Sequence, residues 1–162
     1  MDRIFTPWRL QYLRAIHDGS GCVFCTALAA PDDARVYILD RGPDVFVILN
    51  IFPYSNGHVM VVPRRHVARL TDASPEARRN MIETAARCET ILQRAYEPDG
   101  FNVGLNLGRA AGAGIAEHLH LHVVPRWDGD TNFSTVIGDT RFIPETPQQT
   151  YDRLAPLFRT AN

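Results

Sequence analysis

The chain has 162 residues, of which 45% are hydrophobic and 22% charged, and its formal net charge at pH 7 is -1. This length and composition predict a single soluble globular domain, and the near-neutral charge indicates neither a nucleic acid polymer nor a membrane surface as a partner. The longest apolar runs, such as residues 45–52, are far shorter than the roughly 20 residues that span a bilayer. Because the first residues, MDRIFTPWRLQYLR, contain no continuous apolar segment of the signal-peptide kind, we expect a cytoplasmic protein.

The N-terminal half predicts one helix followed by three strands. Pro7 stands near a helix start and is followed by Trp8, Tyr12 and Leu13 on one face, so a short N-terminal helix is expected. A turn-rich loop, HDGSGCVFC, comes next. Three runs rich in Val and Ile, separated by turn residues, then predict strands: RVYIL (35–39), DVFVILN (44–50) and HVMVVP (58–63). Their short connections require antiparallel pairing, because parallel strands need a long crossover.

The C-terminal half predicts a long helix and two more strands. Ser74 and Pro75 supply an N-cap and a first-turn proline, and an apolar stripe then continues to Tyr96, which predicts a helix over 75–96. FNVGLNLG (101–108) and HLHLHVVP (118–125) return to a period of two and predict strands. The tail has a helical bias that Pro156 interrupts. We therefore expect one α+β domain over 1–162: an antiparallel sheet of about five strands, covered by one long helix, with shorter helices at both ends.

A row of three histidines stands out in the last predicted strand. In EHLHLHVVPRW, residues 117–127, His118, His120 and His122 occupy alternate positions and therefore point to the same side, about 6.6 Å apart. A merely polar strand face would be served equally well by Thr, Lys, Glu or Gln, and the whole chain has only six histidines. The row therefore indicates function, either as a metal site or in nucleophilic and acid–base chemistry near neutral pH.

A glycine-rich segment, LGRAAGAG, precedes the row. Small residues at Gly108, Gly112, Ala113 and Gly114 would let backbone N–H groups approach an oxyanion, with Arg109 beside them. Glycines also simply make turns. Beside three histidines, the segment favours phosphate chemistry.

The three cysteines are an odd number, and two of them form a CxxC motif. In a reducing compartment, the close pair of Cys22 and Cys25 suggests metal binding or redox chemistry before a disulfide framework. A thioredoxin-like motif would be expected inside a parallel βαβ unit, whereas GSGCVFC precedes antiparallel strands, which favours zinc. Buried free cysteines are the alternative, and Cys88, on the long helix, is expected in the core.

The residues resemble a known family. HLHLHVVP fits the HφHφHφφ signature of the histidine triad (HIT) family of nucleotide hydrolases and transferases, and NIFPYSNGHVMVVPRRHV resembles the family's nucleoside-binding strand pair. GCVFC resembles the zinc-bearing N-terminal element of many bacterial members. The likeness covers about residues 8–133, a whole HIT-like domain, and leaves 134–162 as a C-terminal extension. TPWRLQYL and EHLHLHVVPRWDGDTNF most resemble the bacterial diadenosine tetraphosphate phosphorylases, which use inorganic phosphate instead of water.

The resemblance implies a role for each matching position. His120 would be the nucleophile that forms a nucleotidyl-histidine intermediate, His122 would contact the phosphate oxygens, and His58 would lie near the triad. The implied nucleotide-binding residues are Asn50 at the ribose and Asn106 and His122 at the phosphates. Gly112, Ala113, Gly114 and Trp127 are further nucleotide-binding candidates, on the strength of the glycine-rich segment and the aromatic side chain. The implied ligands of one structural zinc per chain are Cys22, Cys25, His66 and His118. Family members are typically homodimers whose sheets join edge to edge, and the same is expected here.

Several alternatives stay open in the sequence. Trp127 and Phe133 would either stack on an adenine or pack on the sheet. Gly114 stands where hydrolytic relatives usually have Gln, which favours phosphate over water as the acceptor, although the phosphorylases tend to have Ser there. The rival functions are a hydrolase of dinucleoside polyphosphates or nucleoside phosphoramidates, a hydrolase with zinc held by the three histidines, and a nucleotide-binding zinc module without turnover.

Overall fold

The computed structural model describes residues 21–130 and 143–160. The predicted N-terminal helix and Phe133 lie outside these residues. The helices are α1 (Val23–Ala29), α2 (Asp33–Val36), α3 (Pro75–Tyr96) and α4 (Pro147–Thr160). The strands are β1 (Ile38–Arg41), β2 (Val45–Leu49), β3 (Val59–Pro63), β4 (Gly100–Leu105) and β5 (Leu121–Arg126), and short 3₁₀ turns cover Leu70–Asp72 and Arg109–Ala111.

The five strands form one antiparallel sheet in the order β1-β2-β3-β5-β4. This confirms the predicted α+β fold with an antiparallel sheet of five strands. The last strand in sequence inserts between β3 and β4, so His122 faces Met60 across one ladder and Gly104 across the other. His122 is thereby placed inside the sheet, within reach of both neighbouring strands.

Helix α3 forms because its sequence supplies both an N-cap at its start and a continuous apolar face along its length. The Ser74 hydroxyl accepts a hydrogen bond from the Ala77 N–H at 3.1 Å, and Pro75 opens the first turn. Its buried face contains Ala77, Met81, Ala85, Cys88, Ile91 and Leu92. This face packs on the side of the sheet that carries Leu119, Leu121 and Val123. Truncating Leu92 to Ala would leave a cavity and cost about 2–5 kcal/mol.

The opposite face of the sheet is covered by α1. Phe46 and Ile48 alternate with the α3-facing residues of β2, and they pack with Phe24 of α1 and with Met60 and Val62 of β3. The sheet is therefore buried on both faces here. None of the helices in the described ranges is long and apolar enough to cross a membrane.

The tail forms helix α4, as its helical bias predicts, but Pro156 lies inside the helix and does not interrupt it. Leu154 and Phe158 are fully buried in the core beneath α3. Ahead of the helix, the Glu145 carboxylate accepts hydrogen bonds from the Tyr96 hydroxyl at 2.7 Å and the Thr150 hydroxyl at 3.2 Å. The C-terminal extension is therefore part of the same core.

Three predicted elements differ from the structure. Residues 35 and 36 of RVYIL are helical, because Asp32 caps α2 and Tyr37 ends it with a left-handed φ of 58°, so β1 begins at Ile38. The CxxC segment begins a helix and is not a plain loop. The triad strand begins at Leu121, because β4 ends at Leu105 and the strand ladder stops there; Leu119 donates its N–H to the Val67 carbonyl instead. His118 and His120 thus lie in a segment that leads into β5.

Candidate active site and metal cluster

The two ends of the histidine row, His118 and His122, lie in different surroundings. The His118 ring lies 4.9 Å from the His66 ring, beside the CxxC pair. The His122 ring lies 5.1 Å from the His58 ring, and the His120 ring lies 4.9 Å from that of His122. All three imidazoles of the row are buried. One end of the row therefore faces two thiols and the other end faces a second imidazole, that of His58.

The cluster next to α1 consists of Cys22, Cys25, His66 and His118, whose ligand atoms all lie within 4.8 Å of one another. The Cys22 Sγ lies 3.1 Å from the His118 Nδ1, and the Cys25 Sγ lies 3.5 Å from the His66 Nδ1 and 3.6 Å from the His118 Nδ1. In a tetrahedral zinc site, sulfur and nitrogen ligands are about 3.5 Å apart. The four residues therefore fit a Cys₂His₂ metal site.

The orientation of His118 favours metal binding as well. Its Nε2–H donates a hydrogen bond to the Pro63 carbonyl at 2.8 Å, so the unprotonated nitrogen is Nδ1, which faces the two thiols. Burial lowers the pKa of His118 and keeps the imidazole neutral, as a metal ligand must be. Burial, with the neighbouring Cys22, raises the pKa of the Cys25 thiol, a shift that a bound cation would reverse.

His120 is held as a neutral imidazole with a defined tautomer. Its Nδ1 lies 2.8 Å from the backbone carbonyl of His118, and because a carbonyl only accepts, Nδ1 carries the proton. The lone pair is then on Nε2. Burial lowers the pKa of His120, which keeps this lone pair available at neutral pH. The Phe24 ring, 5.2 Å away, packs against the imidazole and restricts its rotation.

The tautomers of His58 and His122 follow from a hydrogen-bond chain. The backbone N–H of Tyr54 donates to the His58 Nδ1 at 3.1 Å, so the proton of neutral His58 is on Nε2. This Nε2–H donates to the His122 Nδ1 at 2.9 Å, which places the proton of His122 on its own Nε2. Burial, with its histidine neighbours, lowers the pKa of His58 to about 3 and that of His122 to about 4. Both rings are therefore neutral in the fold.

The His122 Nε2 is buried and has no hydrogen-bond partner in the described part of the chain. Buried polar groups are nearly always paired, and an oriented donor without a partner is a candidate site for a ligand oxygen. The ring of His120, whose lone pair is on Nε2, is the neighbour of this donor's ring, with centroids 4.9 Å apart. A nucleophilic imidazole and an imidazole with a free N–H donor therefore lie next to each other.

Asn50 and Tyr54 belong to the loop that carries His58. The Asn50 Oδ1 accepts from the Phe52 N–H at 2.9 Å, and its Nδ2 lies 3.3 Å from the His58 Nδ1. The Tyr54 ring packs at 4.7 Å from the His58 ring and 5.7 Å from that of His122. The sequence predicted Asn50 but missed Tyr54; an aromatic residue in the NIFPYSNGH loop, just before a functional histidine, was the available signal.

A cleft of about 530 Å³ opens beside His122, over β4 and β5. Its lining includes the predicted residues His122 and Asn106. The sequence missed the others, namely Tyr54, Asn102, Val103, Gly104, Leu105, Val124 and Arg126. Those on β4 were missed because only the pairing of β4 with β5 brings them next to the histidine row.

The glycine loop uses two of its predicted donors internally. Gly112 donates its N–H to the Arg109 carbonyl at 3.0 Å, and Ala113 donates to the Gly108 carbonyl at 3.3 Å. Gly108 and Gly112 have φ values of 83° and 85°, which glycine adopts without strain. These contacts serve the turn, and the nucleotide-binding role of Gly112, Ala113 and Gly114 stays a prediction.

Trp127 packs against Tyr96, with ring centroids 6.4 Å apart in an edge-to-face arrangement. The sequence left open whether Trp127 stacks on an adenine or packs within the domain, and the contact with Tyr96 is packing within the domain. A contact between Trp127 and a nucleotide stays a prediction.

The fold and the site define a class of protein. A five-stranded antiparallel sheet that carries a row of three histidines, with a neutral imidazole next to an oriented N–H donor, is typical of the histidine triad proteins. The chain belongs to the HIT family, because the HIT domain matches residues 33–129. This confirms the predicted family and fold, and with the relative described next it identifies an enzyme of the nucleotidyltransferase or hydrolase kind.

Known proteins similar to this chain include an AP-4-A phosphorylase of Mycobacterium tuberculosis, 38% identical over 162 residues, which cover 96% of this chain and 83% of the relative. A zinc-bound histidine triad family protein from Mycobacterium smegmatis has a TM-score of 0.69 at 30% identity, covering 86% of this chain and 94% of the other. A hypothetical histidine triad nucleotide-binding protein from Sulfolobus tokodaii has a TM-score of 0.67 at 26% identity, covering 86% and 91%.

Proposed function

We propose that the protein is a dinucleoside polyphosphate phosphorylase that works through a nucleotidyl-histidine intermediate on His120. The observation that carries this proposal is a pair of adjacent imidazoles with ring centroids 4.9 Å apart: His120 has its lone pair on Nε2, and His122 has an unpartnered Nε2–H among the described residues. A relative of this chain is a phosphorylase of AP-4-A, which supports the substrate class. Gly114, in place of the Gln of hydrolytic relatives, supports phosphate as the acceptor.

In the first step, the His120 Nε2 attacks the phosphorus atom that bears the nucleoside 5′-oxygen. A P–N bond forms, and the bond from this phosphorus to the bridging oxygen breaks, so the leaving nucleoside polyphosphate takes the electron pair. The His122 Nε2–H donates to a non-bridging oxygen as charge builds up on it, and the His58 Nε2–H holds the His122 ring in that orientation.

In the second step, an oxygen of inorganic phosphate attacks the same phosphorus atom. The P–N bond breaks and its electron pair returns to the His120 Nε2. With diadenosine tetraphosphate as substrate, the first product is ATP and the second is ADP. Asn50 and Asn106 would hold the ribose and the phosphates of the transferred nucleotide, and His120 ends the cycle in its starting tautomer, with the proton on Nδ1 still donated to the His118 carbonyl.

The metal that we propose for Cys22, Cys25, His66 and His118 is one structural zinc ion. The distances within the cluster fit tetrahedral coordination, and a similar solved structure is zinc-bound. Because the protein fills all four positions, zinc would supply stability and not a reactive water. A zinc ion shared by the three histidines is not favoured, because the His118 Nδ1 faces the thiols and its Nε2 donates to the Pro63 carbonyl, so His118 has no nitrogen directed at the other two imidazoles.

The wider organisation that we propose is a homodimer of single-domain chains in the cytoplasm. Strand β4 is at the edge of the sheet, and its Val103 side chain is 50% exposed. An exposed edge strand is a template for pairing with another strand, here β4 of a second copy. Val103→Lys should convert the dimer to a monomer in analytical ultracentrifugation, and a wild-type monomer would reject this assembly.

Product analysis tests the reaction itself. The protein is incubated with diadenosine tetraphosphate, with and without inorganic phosphate, and the nucleotides are separated. ATP and ADP, formed only with phosphate, support phosphorolysis. AMP and ATP, or two ADP, formed without phosphate would show the hydrolase alternative. Absence of any cleavage would reject the proposal.

A further inference from the structure

Gly104 is a glycine in the interior of a strand for which the described residues give no packing reason. A Cβ atom built on it has no neighbour within 4 Å in the described ranges, and its φ lies outside the left-handed region. Glycine in the middle of a strand is destabilising relative to alanine. Such a glycine often marks a place where a ligand approaches the backbone closely. Gly104 pairs directly with His122, so that place adjoins the phosphate site.

The open space above Gly104 is the cleft of about 530 Å³, which is within the usual size of small-molecule sites. Its polar groups are mainly the amides of Asn102 and Asn106. Arg126 is paired with the Asp130 carboxylate at 2.6 Å and with the Asn102 Oδ1 at 2.7 Å, so its charge is largely neutralised. The cleft suits a neutral molecule with hydrogen-bonding edges better than a phosphate chain.

The position of the cleft in the sheet also indicates which part of the substrate it could hold. In the sheet, β5 lies between β3 and β4, so His122 has the His58 loop with Asn50 on its β3 side and Gly104 on its β4 side. A dinucleoside polyphosphate has one nucleoside at each end of its phosphate chain. If one nucleoside occupies the Asn50 side, the chain that passes His122 leads to the cleft.

We propose that the β4–β5 cleft binds the nucleoside of the leaving half of the substrate. This inference rests on the proposed function and names a second nucleoside subsite for it. The Tyr54 ring at the rim offers a stacking surface for the base, the amide of Asn102 offers hydrogen bonds, and the missing side chain at Gly104 leaves room.

The test fills the cleft and uses a matched glycine as control. Gly104→Leu places a side chain in the cleft. Gly100→Leu places the same side chain on the same face of β4, where a Cβ is equally free of neighbours but where the cleft does not extend. Two substrates are compared with saturating phosphate: diadenosine tetraphosphate, and adenosine 5′-phosphosulfate, a mixed anhydride whose leaving group is sulfate and carries no nucleoside.

The expected result is a change of substrate preference. In Gly104→Leu, the ratio of kcat/KM for the dinucleotide to kcat/KM for the phosphosulfate should fall about 10-fold to 100-fold, the effect of losing one stacked base, mostly through KM. Gly100→Leu should leave the ratio unchanged. Gly104→Ala adds one methyl group to open space, so it should fold and show a smaller fall in the same direction.

An unchanged ratio in both Gly104 variants would overturn the inference. So would dissociation of a wild-type dimer by Gly104→Leu, because the cleft would then be covered by a second subunit. Failure of the proposed function looks different, because it shows in the wild-type protein before any variant is compared: the dinucleotide is then not cleaved, or is cleaved without a need for phosphate.

Discussion

His118 and His122 are four residues apart in one segment, yet their imidazoles are used in opposite ways. The His118 Nδ1 faces two thiols, while its Nε2 is bound to the Pro63 carbonyl. The His122 Nδ1 is bound to His58, while its Nε2 has no partner among the described residues. The same residue type in the same row therefore offers a metal ligand at one end and a hydrogen-bond donor at the other. Both rings carry the proton on Nε2, so the difference lies in which of the two nitrogens already has a partner in the fold: Nε2 in His118 and Nδ1 in His122.

The orientation of the His120 ring, in the middle of the row, depends on both His118 and His122. Its Nδ1–H donates to the backbone carbonyl of His118, and its ring contacts that of His122. A metal ion bound to the His118 side chain would fix the position of the His118 backbone carbonyl, which orients the His120 ring. We therefore expect substitutions at the two ends to have separable effects, stability on one side and the chemical step on the other.

The largest effect is expected at the centre of the row. His120→Ala removes the nucleophilic nitrogen and should lower kcat for diadenosine tetraphosphate by about 10⁴-fold or more. Zinc content and melting temperature should stay near the wild-type values, because the side chain is not a ligand. Turnover that survives this substitution would remove the covalent mechanism and favour a nucleotide-binding role or a different catalytic group.

The next largest effect is expected at the phosphate end. His122→Ala removes the unpartnered Nε2–H and should lower kcat by about 10²-fold to 10³-fold, as for one donor to a developing negative charge. KM should change much less, since the donor acts mainly in the transition state. A loss confined to KM would show that His122 only binds the ground state.

A smaller effect on catalysis, with a large effect on stability, is expected at the metal end. Cys22→Ser should lower the zinc content and the melting temperature, and should reduce kcat by about 10-fold through the displaced His118 carbonyl. Zinc is measured by plasma emission spectrometry, and Cys88→Ser is the matched control. A hydrolase with zinc on its three histidines would instead keep full metal content in Cys22→Ser and lose all turnover on chelation.

The smallest effect is a pH dependence of stability from the His58–His122 pair. Both pKa values in the fold, about 3 and about 4, lie below the ordinary value of 6.5. Between the folded pKa values and 6.5, the unfolded chain binds more protons than the folded chain. The free energy of unfolding therefore falls as the pH falls below 6.5. The slope is up to about 1.4 kcal/mol per pH unit for each histidine. His58→Gln should flatten this dependence in urea titrations at pH 4.5 to 7, and an equally steep dependence in this variant would contradict the assignment.

Much of this arrangement could be predicted from the sequence, because it depends on local patterns. Alternating apolar residues predicted the strands, and Ser74 with Pro75 predicted the start of α3. The four cluster residues that the resemblance implied as zinc ligands do lie together. These features need only periodicity, capping and recognisable motifs.

The remaining features depend on contacts between distant parts of the chain. The tautomer of His122 is set by His58, 64 residues away in sequence. The cleft exists because β4 pairs with β5, and the start of β5 at Leu121 depends on where β4 ends. Neither could be predicted without knowing which strands are neighbours, so Gly104 was missed.

The central claim is that the His120 Nε2 becomes covalently bound to a nucleotide, and trapping tests it most directly. The protein is mixed with radiolabelled diadenosine tetraphosphate without phosphate, quenched at alkaline pH to preserve a P–N bond, digested, and analysed by mass spectrometry. We predict an adenylyl group on His120, which added inorganic phosphate converts to ADP. Turnover without any adduct, or an adduct on another residue, would contradict the account.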